Sequence, residues 1–231
     1  MSKLALVQPP FMPWSGFFEI ISSVDCFVFF DDVQFVTKSF INRNYIRNLN
    51  GSEFLITLPQ KSKYPANIMD VQIDNSKNWK KKILKTILSF YKKKKYYDLL
   101  SPTLINIFKK EWQNLSDFNI FFIREICKLL QIKDVKFFKS SDLNLAGDKK
   151  NGELLVNMCN YLNCDHIING PKSIKYIDLE LLKKNKIKFS IMSYENKLRL
   201  GKKNFSIIDD IFNFGLNKNL YLKKDNYLNY L

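Results

Sequence analysis

The start of the chain alternates between strand-like and helix-like hydrophobic patterns. Residues 4–7 form a short apolar run that stops at Pro9 and Pro10, because proline has no N–H to donate and restricts the residue before it. Apolar side chains then recur at helical spacing over residues 14–23, and residues 26–30 are an unbroken apolar run typical of a strand buried on both faces. The pattern predicts a strand–helix–strand unit.

The same alternation returns after a helical section in the middle of the chain. The predicted strands are residues 54–58, 68–73, 135–138, 166–168 and 187–192, and the predicted helices are residues 79–98, 99–112, 116–130, 152–163, 179–186 and 207–214. Ser116 and Asp117 are the expected cap of the third helix, and Asp209 and Asp210 fall in the first turn of the last, where negative charge suits the helix dipole. Residues 217–231 have the pattern of a polar tail.

This order of elements predicts the fold class. Alternating strands and helices indicate an α/β fold with a mostly parallel, Rossmann-like sheet flanked by helices. We expect a single domain over residues 1–231, with the helical section inserted at about residues 75–131.

Polar and aromatic side chains follow several predicted strands. In open α/β sheets, ligands bind beyond the carboxyl ends of the strands. The candidate residues at such positions are Gln8, Trp14, Asp31, Asp32, Asn169, Gly170, Ser173 and Tyr176. The alternative is that Trp14 belongs to the core and that the two aspartates form a solvated strand exit.

The loops over residues 8–14 and 169–176 are expected to share a pocket. Both leave the carboxyl ends of short apolar strands, and in a parallel sheet they emerge at one edge. Gly170 lets the backbone approach a ligand, Ser173 can donate to a phosphate or carbonyl oxygen, and Tyr176 can stack on a sugar or base. The alternative is an ordinary tight turn with Tyr176 packed in the core.

Arg43 lies between two asparagines in an otherwise apolar and aromatic segment. Its planar guanidinium group can bind a phosphate or carboxylate, with Asn42 beside it. A structural salt bridge to Asp31 or Asp32 is an equally good interpretation.

The net charge of +15 first suggests nucleic acid as a partner. Of the 37 basic residues, however, only Arg43, Arg47, Arg124 and Arg199 are arginine, the residue that base-reading proteins favour. The lysines are spread along nearly the whole chain, so we expect no specific nucleic-acid binding. The densest run, Lys92–Lys95, can hold a phosphate or an anionic membrane surface, or it can be a solvated face.

The cysteines show no paired CxxC spacing, which favours a reduced, intracellular protein over a disulfide scaffold. Cys159, Cys164 and His166 lack an evident fourth ligand, so we predict no metal site and no cofactor. Cys164 and His166 also lie at the entrance of a strand, away from the expected ligand edge. The apolar runs fall short of the ~20 residues that span a bilayer, which predicts a soluble, cytoplasmic protein without a transmembrane segment.

Several long motifs occur in a fixed order over residues 4–215. They are QPPFMPWSGFFEII, DCFVFFDDVQF, SFINRNYI, FLITLP, NWKKKILKTI, KSSDL, HIINGPKSIKYID and FSIIDDIFNFG. In these motifs the chain resembles the WbqC-like proteins found among bacterial surface-polysaccharide genes. The resemblance implies an enzyme that tailors a sugar for O-antigen or capsule, by acyl or aminoacyl transfer to a nucleotide-linked amino sugar.

The resemblance also places a histidine of the family where this chain has Glu19, and a glutamate can act as a base when burial raises its pKa. In the resulting hypothesis, Glu19, Asp31 or Asp32 takes the proton from an attacking amine. Gln8, Trp14, Gly16, Asn42, Arg43 and the turn from Asn169 to Tyr176 bind the substrate, a sugar nucleotide. The alternative is a non-catalytic scaffold whose lysine-rich surface binds an acidic acyl carrier protein.

Overall fold

The computed structural model describes residues 1–145, 152–194, 204–217, 222 and 227–231, so Arg199 lies outside the described residues. Its strands are β1 (Lys3–Val7), β2 (Cys26–Phe29), β3 (Arg43–Arg47), β4 (Glu53–Thr57), β5 (Lys136–Lys139), β6 (His166–Asn169), β7 (Lys188–Met192) and β8 (Tyr227–Asn229). Its helices are α1 (Ser15–Ser22), α2 (Trp79–Tyr91), α3 (Tyr97–Lys109), α4 (Leu115–Leu129), α5 (Ser140–Leu143), α6 (Glu153–Leu162), α7 (Leu179–Lys184) and α8 (Ile207–Phe214). Two short 3-10 helices cover Ile68–Asp70 and Pro171–Tyr176.

A six-stranded sheet of order β5-β2-β1-β6-β7-β8 forms the centre of the fold. The neighbouring pairs from β5 to β7 are parallel, and β8 joins β7 in the antiparallel direction. The α/β fold with a mostly parallel, Rossmann-like sheet is therefore confirmed. In chain order, β2 and β5 are added on one side of β1, and β6, β7 and β8 are added on the other side. The boundary between β1 and β6 is therefore the topological switch point.

A hydrophobic core lies on each face of the parallel sheet, and successive side chains of a strand point into one core and then the other. In β1 and β2, Ala5 and Phe27 belong to the core that includes α1, α2, α3, α4 and α8. Their neighbours Leu4 and Val28 belong to the core on the other face, with α6 and α7. Alternate residues of a strand point to opposite faces, so these strands are apolar throughout because both faces are covered.

An aromatic cluster joins the helical section to the loop after β1. The ring of Phe118 lies 5.8 Å from that of Phe11 and 5.5 Å from those of Trp79, Phe108 and Trp112. Such pairs stabilise a core beyond the area that they bury. The helical section thereby packs against the loop at the switch point.

Some local predictions were wrong. Residues 68–73 form a 3-10 helix followed by isolated bridges, because the Ile73 N–H donates to the Gln113 carbonyl and the Val71 carbonyl accepts from the Leu115 N–H at the start of α4. The α4 helix is capped by the Asn114 side chain, which accepts from the Asp117 N–H at 3.1 Å, and Ser116 lies inside the helix. The predicted helix over 79–98 ends at Tyr91, and the predicted polar tail contains β8.

Within the described residues, the helices lack the combined length and apolar character needed to cross a bilayer.

Candidate functional site

The switch point brings together the ends of β1 and β6. The Leu6 N–H donates to the side-chain oxygen of Asn169 at 3.2 Å, which fixes the end of one strand to the end of the other. The loop over residues 8–14 and the turn that begins at Gly170 therefore leave the sheet at adjacent points of the same edge. This is the position at which open α/β sheets bind ligands.

Tyr194, which follows β7, connects the two loops. Its ring lies 4.7 Å from the ring of Trp14 in an edge-on arrangement. A Cβ atom added at Gly170 would lie 3.7 Å from the Tyr194 hydroxyl. Trp14 and Gly170 thus lie around one tyrosine, although they are distant in the sequence.

The position of Trp14 depends on Gly16. A Cβ atom at Gly16 would lie 2.2 Å from the six-membered ring of Trp14, closer than non-bonded atoms can approach. The indole ring therefore folds back over the first turn of α1, and only glycine leaves room for it. Gly16 has a packing role at this edge.

The beginning of α8 closes the other side of the loop. The Ile207 N–H donates to the Pro13 carbonyl at 2.8 Å, and the Ser206 N–H donates to the Tyr45 carbonyl at 2.9 Å. The next turn of α8 brings Asp210 beside Ser15, whose hydroxyl group lowers the pKa of the Asp210 carboxyl. A helix near the end of the chain thereby contributes a carboxylate beside α1.

The electrostatic setting of Asp210 makes it chemically distinctive. Its side chain is buried, and burial together with the adjacent charge of Asp209 raises its pKa to about 7, against the opposing effects of Ser15 and Arg47. A carboxylic acid with a pKa near 7 exchanges protons at neutral pH, which is the property of a general base.

Asp209 is held differently. It is fully buried and accepts from the Tyr91 hydroxyl at 2.5 Å and from the Arg47 backbone N–H at 3.4 Å. Its carboxylate also forms an ion pair with the Arg47 guanidinium, which stacks on the ring of Phe205 at 4.2 Å. Burial raises the pKa of Asp209, while Tyr91 and Arg47 act in the opposite direction. These partners tie α8 to β3 and α2.

Glu19 lies one helical turn after Ser15, so the two side chains leave the same side of α1. Burial and the negative charge of Glu19 raise the pKa of the Tyr194 hydroxyl. Tyr194 contacts Trp14, the residue before Ser15, and Asp210 lies beside Ser15. We refer to Trp14, Ser15, Glu19, Tyr194 and Asp210 as the switch-point site.

Comparison with known proteins identifies the family. The model of the WbqC-like protein family matches residues 8–221, which is most of the chain. The chain belongs to the WbqC-like protein family. It is 29% identical over 232 residues to the uncharacterized protein Rv1507c of Mycobacterium tuberculosis, covering 96% of this chain and 98% of that protein. No solved structure matches the chain.

The described part of the family match includes both sides of the switch-point site, from the loop after β1 to α8. Within it, the asparagines of the INRN segment support that loop. The Asn44 amide donates to the carbonyls of Phe11 and Met12 at 3.4 and 2.8 Å. The buried Asn42 donates to the Leu58 carbonyl at 3.5 Å. Arg43, between them, is half-buried, and in the described part of the chain its guanidinium forms no hydrogen bond or ion pair.

The predicted catalytic aspartates lie one strand away from β1. Asp31 is buried and accepts from the Ser141 N–H at 3.1 Å and the Ser141 hydroxyl at 3.0 Å. Asp32 accepts from the Ser140 hydroxyl at 2.5 Å. The two carboxylates thus bind the start of α5, at the carboxyl ends of β2 and β5. A salt bridge from Arg43 to either aspartate is absent from the described residues, so that interpretation of Arg43 is wrong.

Two of the other predicted binding residues form side-chain hydrogen bonds with the backbone. The Ser173 hydroxyl donates to the Gly170 carbonyl at 2.8 Å, and the Asn169 side chain is bound to Leu6. Gln8 is exposed, and Tyr176 is 72% exposed, so the interpretation of Tyr176 as a core residue is wrong.

Sequence reasoning missed Ser15, Tyr194 and Asp210 as members of the site. For Asp210 a signal existed, because the segment FSIIDDIF places two adjacent aspartates in an otherwise apolar helix. Such a helix is expected to be buried, and buried carboxylates need partners. The helix-dipole interpretation accounted for the position of the acids and overlooked their burial.

Proposed function

We propose that this WbqC-like protein is a sugar-tailoring transferase of surface-polysaccharide biosynthesis. In this proposal it moves an acyl or aminoacyl group to the amino group of a nucleotide-linked amino sugar at the switch-point site. The observation that carries the proposal is the buried Asp210, whose pKa of about 7 suits a base for an amine nucleophile.

Acyl transfer to an amine requires removal of a proton. The sugar nitrogen attacks the donor carbonyl carbon, a C–N bond forms, and the bond to the leaving group breaks. A proton leaves the nitrogen and must be passed to the leaving group. Asp210 is well suited to accept and return it, because its deprotonated and protonated forms are both populated at neutral pH.

Ser15 supplies the connection between this buried base and the substrate. Its side chain is half-buried at the start of α1 and lies beside Asp210, which is only 7% exposed. The hydroxyl group can accept a proton from the amine while donating its own to the carboxylate. Asp210 in this scheme acts through Ser15 and need not reach the sugar.

The remaining roles follow from position. Trp14 provides an apolar wall at the mouth of the site, Tyr194 provides a hydroxyl group beside it, and Glu19 provides a carboxylate one turn further along α1. Arg43 lies beside the loop that Asn44 holds, and its guanidinium is suited to the diphosphate of a sugar nucleotide.

The test is a product assay on a panel of UDP- and dTDP-linked amino sugars with acyl-coenzyme A, acyl carrier protein and aminoacyl donors. Mass spectrometry should detect one sugar whose mass increases by the acyl or aminoacyl group. Asp210→Asn should form that product at least about a hundredfold more slowly, while Asp70→Asn, an exposed matched control, should form it at the wild-type rate. Failure of every pair to give an acylated sugar would refute the proposal.

A further inference from the structure

One stretch of the chain concentrates positive charge without compensating acids. Residues 75–97 contain nine lysines and no aspartate or glutamate. Lys77 pairs with Asp74, and Lys80 pairs with Glu111. The other seven are exposed and form no ion pair within the described ranges: Lys81, Lys82, Lys85, Lys92, Lys93, Lys94 and Lys95.

The densest part of this charge lies beside the turn end of the β3–β4 hairpin. The Arg47 N–H, at the end of β3, donates to the Tyr91 hydroxyl at 3.2 Å, and Tyr91 directly precedes Lys92. On β4, the ring of Phe54 lies 5.1 Å from that of Phe90. The hairpin turn therefore projects next to the tetralysine run.

Apolar side chains are exposed at this hairpin. Leu49, in the turn, is 71% exposed, and Phe54 is 39% exposed. An exposed leucine in a hairpin turn adds little to the core of this protein, and this one lies near four exposed lysines that form no ion pair within the described ranges. We refer to Leu49, Phe54 and Lys92–Lys95 as the basic hairpin face.

We propose that the basic hairpin face binds the surface of an anionic lipid bilayer. In this arrangement the lysine ammonium groups lie among the lipid phosphates, and Leu49 enters the boundary between headgroups and acyl chains. Anionic bilayers attract clustered lysines, and an adjacent apolar side chain adds a contact that charge alone does not supply. The inference is independent of the reaction proposed for the switch-point site.

An acidic protein is the competing partner, and the composition of the face disfavours it. Protein interfaces are enriched in arginine and depleted in lysine, whose flexible ammonium group loses freedom when it is fixed by one partner. A lipid surface offers diffuse negative charge that flexible lysines can follow. A protruding leucine also needs a matching cavity on a protein, whereas a bilayer accepts it without one.

The experiment is vesicle flotation of the whole protein at physiological salt. Vesicles of phosphatidylcholine alone are compared with vesicles in which about one third of the lipid is phosphatidylglycerol. The first variant replaces Lys92–Lys95 with glutamine. The matched control replaces four exposed lysines of the opposite side, Lys175, Lys183, Lys184 and Lys186, and removes the same charge. Leu49→Ser tests the apolar contact, and thermal melting verifies that each variant is folded.

We expect the protein to float with anionic vesicles and not with neutral ones. Loss of Lys92–Lys95 should lower the partition coefficient by roughly fivefold per lysine, and Leu49→Ser should lower it by about tenfold. The control should retain most binding. An equal loss in the control would overturn the proposal, because binding would then follow net charge alone. Retention on immobilised polyglutamate without binding to anionic vesicles would also overturn it, and would assign the face to an acidic protein.

Discussion

Ser15, at the start of α1, lies beside the buried carboxyl group of Asp210 in α8, and its hydroxyl group lowers the pKa of that carboxyl. The two residues lie beside the loop that leaves β1. They place a titratable group in the interface between α1 and α8. The same interface contains the Arg47–Asp209 ion pair, which neutralises one of two adjacent buried carboxyl groups. Burial and the charge of Asp209 raise the pKa of the second carboxyl group, that of Asp210, to about 7.

The stability of the protein should depend on pH through Asp210. A pKa raised to about 7 means that between about pH 4 and pH 7 the folded state holds a proton that the unfolded chain releases. The contribution of this group is therefore fully present at low pH and is lost as the pH rises to 7. Asp210→Asn removes this dependence. The free energy of unfolding of the variant, taken relative to that of the wild type, should therefore increase by up to about 4 kcal/mol between pH 4 and pH 8.

Urea unfolding of both proteins between pH 4 and pH 8 measures this difference. Asp70→Asn serves as the control, because Asp70 is exposed. Parallel pH profiles for the wild type and Asp210→Asn would show that the carboxyl group titrates at its ordinary pKa.

The Arg47–Asp209 pair should respond asymmetrically to mutation. Arg47→Ala leaves the fully buried Asp209 without its cation and should destabilise the protein by about 3 kcal/mol or more. Asp209→Asn retains an acceptor for the Tyr91 hydroxyl. The double variant Arg47→Ala/Asp209→Asn should therefore be more stable than Arg47→Ala alone. Chemical denaturation of the three variants gives the coupling energy between the two side chains. If the effects of the two single substitutions simply add up, the Arg47–Asp209 ion pair does not contribute to stability.

Gly16→Ala should be costly and Gly170→Ala mild. At Gly16 the new methyl group meets the Trp14 ring, and we expect a loss of about 1–3 kcal/mol with displacement of the indole. At Gly170 the methyl group reaches ordinary contact distance from Tyr194. Thermal melting measures the cost. In the Trp14→Ala variant, the same Gly16→Ala change should lower the stability much less. An unchanged loss of stability would show that the effect arises from the helix backbone and not from the Trp14 ring.

His166 and Cys164 should be dispensable for activity. His166 is buried, its ring nitrogen lies 2.7 Å from the Ser190 hydroxyl, and burial lowers its pKa, so it is held as a neutral structural group. Both residues lie at the start of β6, at the edge opposite the switch-point site. In the product assay, His166→Gln and Cys164→Ser should keep most of the wild-type rate per folded molecule. A large loss in either would point to chemistry at the other edge.

Short-range patterns were sufficient to predict the strand–helix–strand unit, because proline stops and apolar runs act over a few residues. The role of Asn44 could not be predicted from such short-range patterns. An arginine flanked by amides suggested ligand binding, whereas the Asn44 amide holds backbone carbonyls of a loop far away in the sequence. The burial of Asp210 likewise depends on how α8 docks against α1, which local periodicity does not encode. Asp31 was placed correctly at a strand exit, but its serine partners follow β5 and were not foreseen.

The most direct test of the central claim is the pH–rate profile of acyl transfer by the wild type, Asp210→Asn and Ser15→Ala. The wild-type rate should rise with pH through a limb near pH 7, where Asp210 loses its proton. Asp210→Asn should lose at least about a hundredfold in rate together with this limb. Ser15→Ala should lose rate and shift the limb to higher pH, because the Ser15 hydroxyl group that lowers the Asp210 pKa is removed. An Asp210→Asn enzyme that kept both the wild-type rate and the limb would contradict the assignment of Asp210 as the base.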